Sequence, residues 1–386
     1  MTRFIQLHVL TSYPPSNLNR DDTGRPKTAL VGDANRLRIS SQSLKRAWRT
    51  SAEFARHLPD ADVQIGDRTK RVGLEWVFKR LLNNGVPEAT ARQWSKDIQR
   101  AYGEPETSTT DPDAELLNGQ LVHLSPIEHE KLSSFVDLLS RYLLQGEPAE
   151  AIERIEKAIQ NRDKAKDKKK ANGALVKQLA ELLLVSDSTA VDIALFGRML
   201  ASVPAFNFDA AVQVAHAITV HKAAVEDDYF SAVDDLNKSE DTGAGHIGER
   251  GYGAGLFYLY IAIDRELLKK NLGGDEALTS RALESLIRAI TKVSPTGMQN
   301  SFASRAYAGY VLAEKGKQQP RSLAQAYLKP VKPFDDEDIF EKSVDALETR
   351  LRNFDAVYGD CADSRYTVNV EKPEGSLDGL VKFVTG

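Results

Sequence analysis

The chain of 386 residues has a single cysteine, Cys361, so no disulfide can form within it, and one lone thiol suits a reducing compartment. No uninterrupted apolar run approaches the roughly 20 residues that a membrane-spanning helix needs. The opening MTRFIQLHVL is too short and too strand-like for a signal peptide. A soluble, cytoplasmic protein is expected. Catalytic and metal patterns are equally scarce, with no Walker A motif, no paired zinc cysteines and no H-E-x-x-H. His216 and His221 stand five apart near Glu226, Asp227, Asp228, Asp234 and Asp235. On a strand that separation puts the two rings on opposite faces, which argues against a shared metal. Asp21, Asp22 and Asp33 lack the fixed spacing of a metal-assisted nuclease. No nucleophile–base pair stands out, and neither a cofactor nor a metal is expected.

What is present is an ordinary globular balance, 41% hydrophobic and 27% charged, over a length that suits two to three domains. The net charge of −4 argues weakly against a nucleic-acid partner, but it is unevenly spread. The first 50 residues hold nine Lys/Arg against three Asp, a balance of +6, which leaves −10 for the remainder. Phosphate binding depends on such local clusters rather than on the global charge.

Alternation of Ile5, Leu7, Val9 with Gln6, His8, Leu10 predicts a strand over Phe4–Tyr13. An irregular basic loop is expected to run from there to about Ile39. Leu44, Ala47, Trp48, Phe54, Ala55 and Leu58 then mark one helix from Ser40 or Ser41 to Leu58. Residues 60–185 read as mainly helical, with a capping box at Ser125-Pro126-Ile127-Glu128 and a long exposed loop over Tyr102–Leu124. Arg162–Lys170 carries six bases and reads as a solvated helix end or loop. Strands are expected at 212–220, Leu256–Ile263 and Ala303–Leu312, and helices at Leu278–Ile290 and Phe334–Phe354. The expectation is an α+β sheet domain built from both ends of the chain around a helical insertion, and a βαββαβ core of the ferredoxin-like type would fit.

The most informative segment runs from Arg36 to Arg49. Ser40 and Ser41 sit where an N-cap belongs, so free backbone N–H groups and the positive end of the helix dipole face outward there. Gln42, Lys45, Arg46 and Arg49 follow at spacings of three and four, opposite Leu44, Ala47 and Trp48. No acid lies between Asp33 and Glu53 to pair with these bases. Hydroxyls, an amide and three cations at a helix start make a phosphate-binding surface, to which Asn19, Arg20, Arg25 and Lys27 can add. Gly243-Ala-Gly245-His-Ile-Gly248 fits G-x-G-x-x-G, yet it leads into a strand along with Gly251, Gly253 and Gly255. That context suits a hairpin rather than a dinucleotide site. Met199, after Arg198 at an expected turn, and Phe230, before an acidic Gly-rich stretch, are of types more often found in a core. Yet an apolar or aromatic group beside a basic groove is also what single-stranded RNA meets by wedging or stacking.

NLNRDD (17–22), RISSQSLKRAWR (38–49), VDIALFGRM (191–199), VAHAIT (214–219), FSAVDDL (230–236) and KNLGG (270–274) resemble, in order and spacing, the CasC family. These are the CRISPR-RNA-binding backbone subunits of the type I-E surveillance complex Cascade. The resemblance implies a non-catalytic subunit with an RRM-like palm (1–59 and 186–386), a helical fingers insertion (60–185) and a β-hairpin thumb (228–255). Copies would polymerise head to tail along one CRISPR RNA and present its bases to target DNA. The other partners would be the large, small, RNA-processing and 5′-end-capping subunits. By the same resemblance Arg20, Lys27, Arg38, Ser40, Ser41, Gln42, Lys45, Arg46, Arg49 and Arg198 would hold the guide, Met199 would wedge against a displaced nucleotide, and Phe230 would help hold the kink. Lys164, Lys166, Lys168, Lys169 and Lys170 would face target DNA. The alternative is a related backbone subunit that also cleaves RNA through a loop carboxylate, for which Asp33 is the candidate.

Overall fold

The computed structural model describes residues 3–60, 64–107, 110–186, 190–232, 246–332 and 338–386. Its strands in chain order are β1 (Phe4–Ser16), β2 (Thr28–Val31), β3 (Ala34–Ile39), β4 (Asp67–Thr69), β5 (Val122–Leu124), β6 (Val212–Val214), β7 (Ala217–Thr219), β8 (Glu226–Ala232), β9 (His246–Asp264), β10 (Tyr310–Gly316) and β11 (Ser364–Asn369). Two compact units share them. One comprises Met1–Leu58, Val212–Glu266 and Ala277–Gly386; the other comprises Pro59–Ala211 and Leu267–Glu276.

The first unit is a mixed α/β body on an antiparallel sheet ordered β11-β10-β1-β9-β7-β3-β2, with β6 and β8 also pairing along the long β9. Every residue of β1 from Ile5 to Leu10 is buried, so its alternation does not separate a wet face from a dry one. Its polar members are satisfied inside. The Tyr258 hydroxyl donates to His8 Nδ1 (2.9 Å), and His8 Nε2 donates to Glu314 (3.1 Å). Arg321 (2.5 and 3.0 Å) and Arg365 (2.9 Å) donate to the same carboxylate. Burial pushes the His8 pKa down and keeps the ring neutral. Burial would push that of Glu314 up, but the bonds from His8 and Arg321 hold it well below the carboxylate range.

Several elements differ from the sequence-based expectation. The basic loop before Ile39 contains a hairpin: β2 and β3 join through Gly32-Asp33, with Gly32 at φ 63° and Val31 opposite Ala34. The helix expected over 40–58 is two, α1 (Ser41–Arg49) and α2 (Ala52–Arg56). Ser51 divides them, its hydroxyl donating to Trp48 O (2.7 Å) and accepting the Phe54 N–H (3.1 Å) as a new cap. Residues 212–220 form β6 and β7 separated at Ala215-His216, and β10 begins at Tyr310 rather than Ala303. The last long helix spans Ile339–Tyr358; Phe334 and its neighbours to residue 337 lie outside the described residues. The same holds for 233–245, the centre of the expected thumb, which takes in Asp234, Asp235, Gly243 and Gly245.

The second unit is mainly helical around its own core, with β4 and β5 as a small ribbon. The capping box at its helix Pro126–Gln145 is present, Ser125 and Glu128 bonding each other's backbone N–H. The expected exposed loop over 102–124 is largely packed. Tyr102, Leu116 and Leu124 join the core, and the buried Asn118 donates to Gln99 O (3.2 Å) and Gly103 O (3.3 Å).

Candidate nucleic-acid interface

After β1 the chain makes a closed loop that its own short polar side chains hold. Asp21 Oδ1 accepts from the Thr23 N–H (3.0 Å), the Thr23 hydroxyl (2.8 Å) and the Arg25 N–H (3.0 Å). Asn17 Nδ2 donates to Gly24 O and Gly251 O, each at 2.9 Å. The Lys27 N–H bonds Asn19 O and the Arg38 N–H bonds Lys27 O, both at 2.8 Å, while Asn19 Oδ1 accepts the Ser40 N–H at 2.9 Å. The basic loop is thereby tied to the residue that caps α1.

The glycines of β9 let the loop lie this close. A Cβ on Gly251 would stand 3.1 Å from Pro26 Cδ, and one on Gly253 would stand 2.9 Å from Leu37 Cδ1. Gly248, Gly251, Gly253 and Gly255 are therefore close-approach positions in a strand, not a phosphate cradle.

Helix α1 begins as its sequence predicts. Ser40 is extended (φ −71°, ψ 146°) and its Oγ accepts the Ser43 N–H at 3.3 Å. Leu44, Ala47 and Trp48 are buried, there is no acid in the first turn, and Arg46 and Arg49 occupy the last. Arg20, Gln42 and Arg46 are exposed; Lys27, Arg38, Ser41, Lys45 and Arg49 are half-buried. Among the described residues the side chains of Arg20, Lys27 and Arg46 make no internal hydrogen bond or ion pair. Arg38 donates to His216 Nδ1 at 2.9 Å, and burial with the charges of Arg38 and Lys27 lowers the His216 pKa. That neutral ring sits among cations, and its pairing with Arg38 of β3 from the break between β6 and β7 was not legible in the sequence. A surface of amide N–H groups, hydroxyls and uncompensated cations can hold successive phosphates of a strand without reading its bases.

Phe230 lies on β8, its ring packed on Gly248 with the Arg250 guanidinium 4.5 Å from its centroid. Arg250 was not foreseen either; it stands two residues along β9 from Gly248, the register partner of Phe230, on the same face of the strand. Arg25 pairs with Asp227 of β8 at 2.9 Å.

The second unit holds the other expected site residues. Met199 is 72% exposed between the buried Arg198 and Leu200. Arg198, expected to contact RNA, is instead an internal tie. Its Nη1 donates to Glu128 (2.5 Å) and His123 O (3.3 Å), its Nη2 to Phe206 O (3.0 Å). It is consumed by the neighbours of a buried carboxylate, which no spacing within FGRM reveals. Lys164 ends the helix Glu150–Lys164, Lys166 lies in the link, and Lys168, Lys169 and Lys170 open the helix Lys168–Leu183, where Asp167 accepts the Lys170 N–H at 3.0 Å. All five are exposed and without ion pairs among the described residues. Among the described residues, no group of three or more His, Cys, Asp or Glu could hold a metal ion, and no helix is long and apolar enough to cross a membrane.

Residues 5–380 match the family model described as "CT1975-like protein". A chain of a solved structure described as "CRISPR RNA-guided surveillance complex, pre-nicking" is 26% identical, with a TM-score of 0.76 over 99% of both chains. A second, described as "CRISPR RNA-guided surveillance complex", is 23% identical with a TM-score of 0.56 over 98% of this chain and 99% of that one, and shares the fold. No curated protein matches the chain.

Proposed function

The chain belongs to the CT1975-like protein family, and on that premise we propose that it is a CRISPR-defence protein of the CasC type, a backbone subunit of type I-E Cascade. It grips CRISPR RNA through sugar and phosphate, does not cut it, and polymerises head to tail along it in the cytoplasm. The bases left free pair with target DNA while the large, small, RNA-processing and 5′-end-capping subunits complete the particle. In this reading the first unit is an RRM-like palm, residues 60–185 are fingers and 228–255 a thumb. Met199 wedges against a displaced nucleotide and Phe230 steadies the kink.

The observation that carries the proposal is the start of α1, which lacks an acid in its first turn and is tied through Asn19 to the basic loop of Arg20 and Lys27. The likeness to a chain of a CRISPR RNA-guided surveillance complex supports it. The test is to incubate the full chain with two single-stranded RNAs of unrelated sequence and Mg²⁺. Equal affinities and intact RNA are expected. A strong preference for one sequence would overturn the backbone-reading claim. Regular cleavage abolished by Asp33→Asn would overturn the non-catalytic one.

A further inference from the structure

Residues 294–308 connect the helix Glu276–Lys292 to β10 and are held more tightly than a connection requires. Met298 (φ 49°) and Ala303 (φ 48°), at either end of the single turn Gln299–Phe302, are the non-glycine residues with positive φ among those described. Such backbone persists only where its surroundings over-determine it. Here they do. Gln299 Nε2 donates to Pro295 O (2.7 Å) and Ser304 O (3.3 Å), and Ser294 Oγ accepts the Ala306 N–H (2.9 Å) and donates to Ala306 O (3.2 Å).

The place this loop occupies is equally specific. A Cβ on Gly297 would meet the Leu18 carbonyl and stand 2.9 Å from Asn17 O, so the loop abuts the residues just before Asn19 and Arg20. At its other end Phe302 packs on Tyr252 of β9, ring centroids 6.1 Å apart, near the root of the β8–β9 ribbon. It therefore reaches from the basic loop to the ribbon that carries Phe230. Past Ala303 the chain alternates: Ser304 and Ala308 are buried, while Arg305 is exposed and Tyr307 is 70% exposed. Arg305 has no ion-pair partner among the described residues. A cation and an aromatic face two residues apart on a rigid segment are what a strand of RNA uses, one for its phosphate and one for a base.

We propose that residues 294–308 form a second RNA-binding element continuous with the basic loop, in which Arg305 contacts a phosphate and Tyr307 stacks on a base. This rests on the RNA-backbone reading above. The test measures binding of a labelled single-stranded RNA of mixed sequence to the full chain over a range of KCl concentrations, for the parent, Arg305→Gln, Tyr307→Ala, Tyr307→Phe and Arg46→Ala. Thermal melting confirms that each variant is folded. Arg305→Gln is expected to flatten the slope of log K against log[KCl] by about 0.7, the value of one phosphate contact on a single strand. Tyr307→Ala is expected to weaken binding about tenfold with the slope unchanged, and Tyr307→Phe to bind as the parent does. Parent-like binding by both loop variants, with Arg46→Ala still flattening the slope, would overturn this proposal alone. A parent chain that does not bind RNA would overturn the reading beneath it as well.

Discussion

Arg198 and Arg46 read alike in the sequence and differ in what surrounds them. The Arg198 side chain is 2% exposed against a Glu128 that is fully buried; Arg198 also donates to the carbonyls of His123 and Phe206, and Glu128 accepts the Ser125 and Val185 N–H groups. Removing one member of such a pair leaves the other charged and dry, at a cost of about 3–5 kcal/mol. Arg198→Ala is therefore expected to lower the unfolding free energy by that amount in a urea titration. Arg46→Ala, on the exposed face of α1, should leave stability within about 0.5 kcal/mol of the parent. The distinction was not legible in FGRM because Glu128 lies 70 positions away and serves also as the capping residue of Ser125. The 72% exposure of Met199 was not legible from the residues either, since a lone methionine is more often core, and only the family resemblance placed it outward.

At the scale of elements, the start of α1 was legible to within one residue, Ser40 or Ser41. The Ser40 cap, the buried stripe of Leu44, Ala47 and Trp48 and the acid-free first turn are all local properties. Its end was not, because Ser51 competes for the Trp48 carbonyl and starts a second helix. The β2–β3 hairpin was missed for a similar reason: its strands are short, and arginine and asparagine stand where apolar residues would have marked them. The glycines of β9 were recognised as non-nucleotide, but their use depends on tertiary neighbours. Gly255 shows this best. A Cβ there would stand 2.6 Å from Thr219 Cγ2 and 2.9 Å from His221 Nε2. Thr219 Oγ1 in turn accepts the Leu37 N–H at 3.1 Å, so the clash is passed to β3. Gly255→Ala should cost about 1–3 kcal/mol in denaturant unfolding and weaken RNA binding beside it, because Arg38 follows Leu37 on the disturbed strand.

For the molecule as a whole, charge is the organising quantity. A chain of net −4 concentrates its excess of cations in the first 50 residues, and the fold gathers Arg20, Lys27, Arg38, Lys45, Arg46 and Arg49 around one loop and one helix start. That segregation was visible as arithmetic, and the interrupted order of strands and helices showed that both ends of the chain contribute to one sheet. The strand order itself was not visible, since β1 pairs with β9 and β10 more than 200 positions away and its side chains are buried on both faces. A scaffold that grips backbone without reading bases should load in multiple copies on one strand. The direct test of the proposed role is native mass spectrometry of this chain co-expressed with the proposed partner subunits and a CRISPR array. Several copies bound to one RNA of uniform length are the predicted result. A nucleic-acid-free monomer would contradict it.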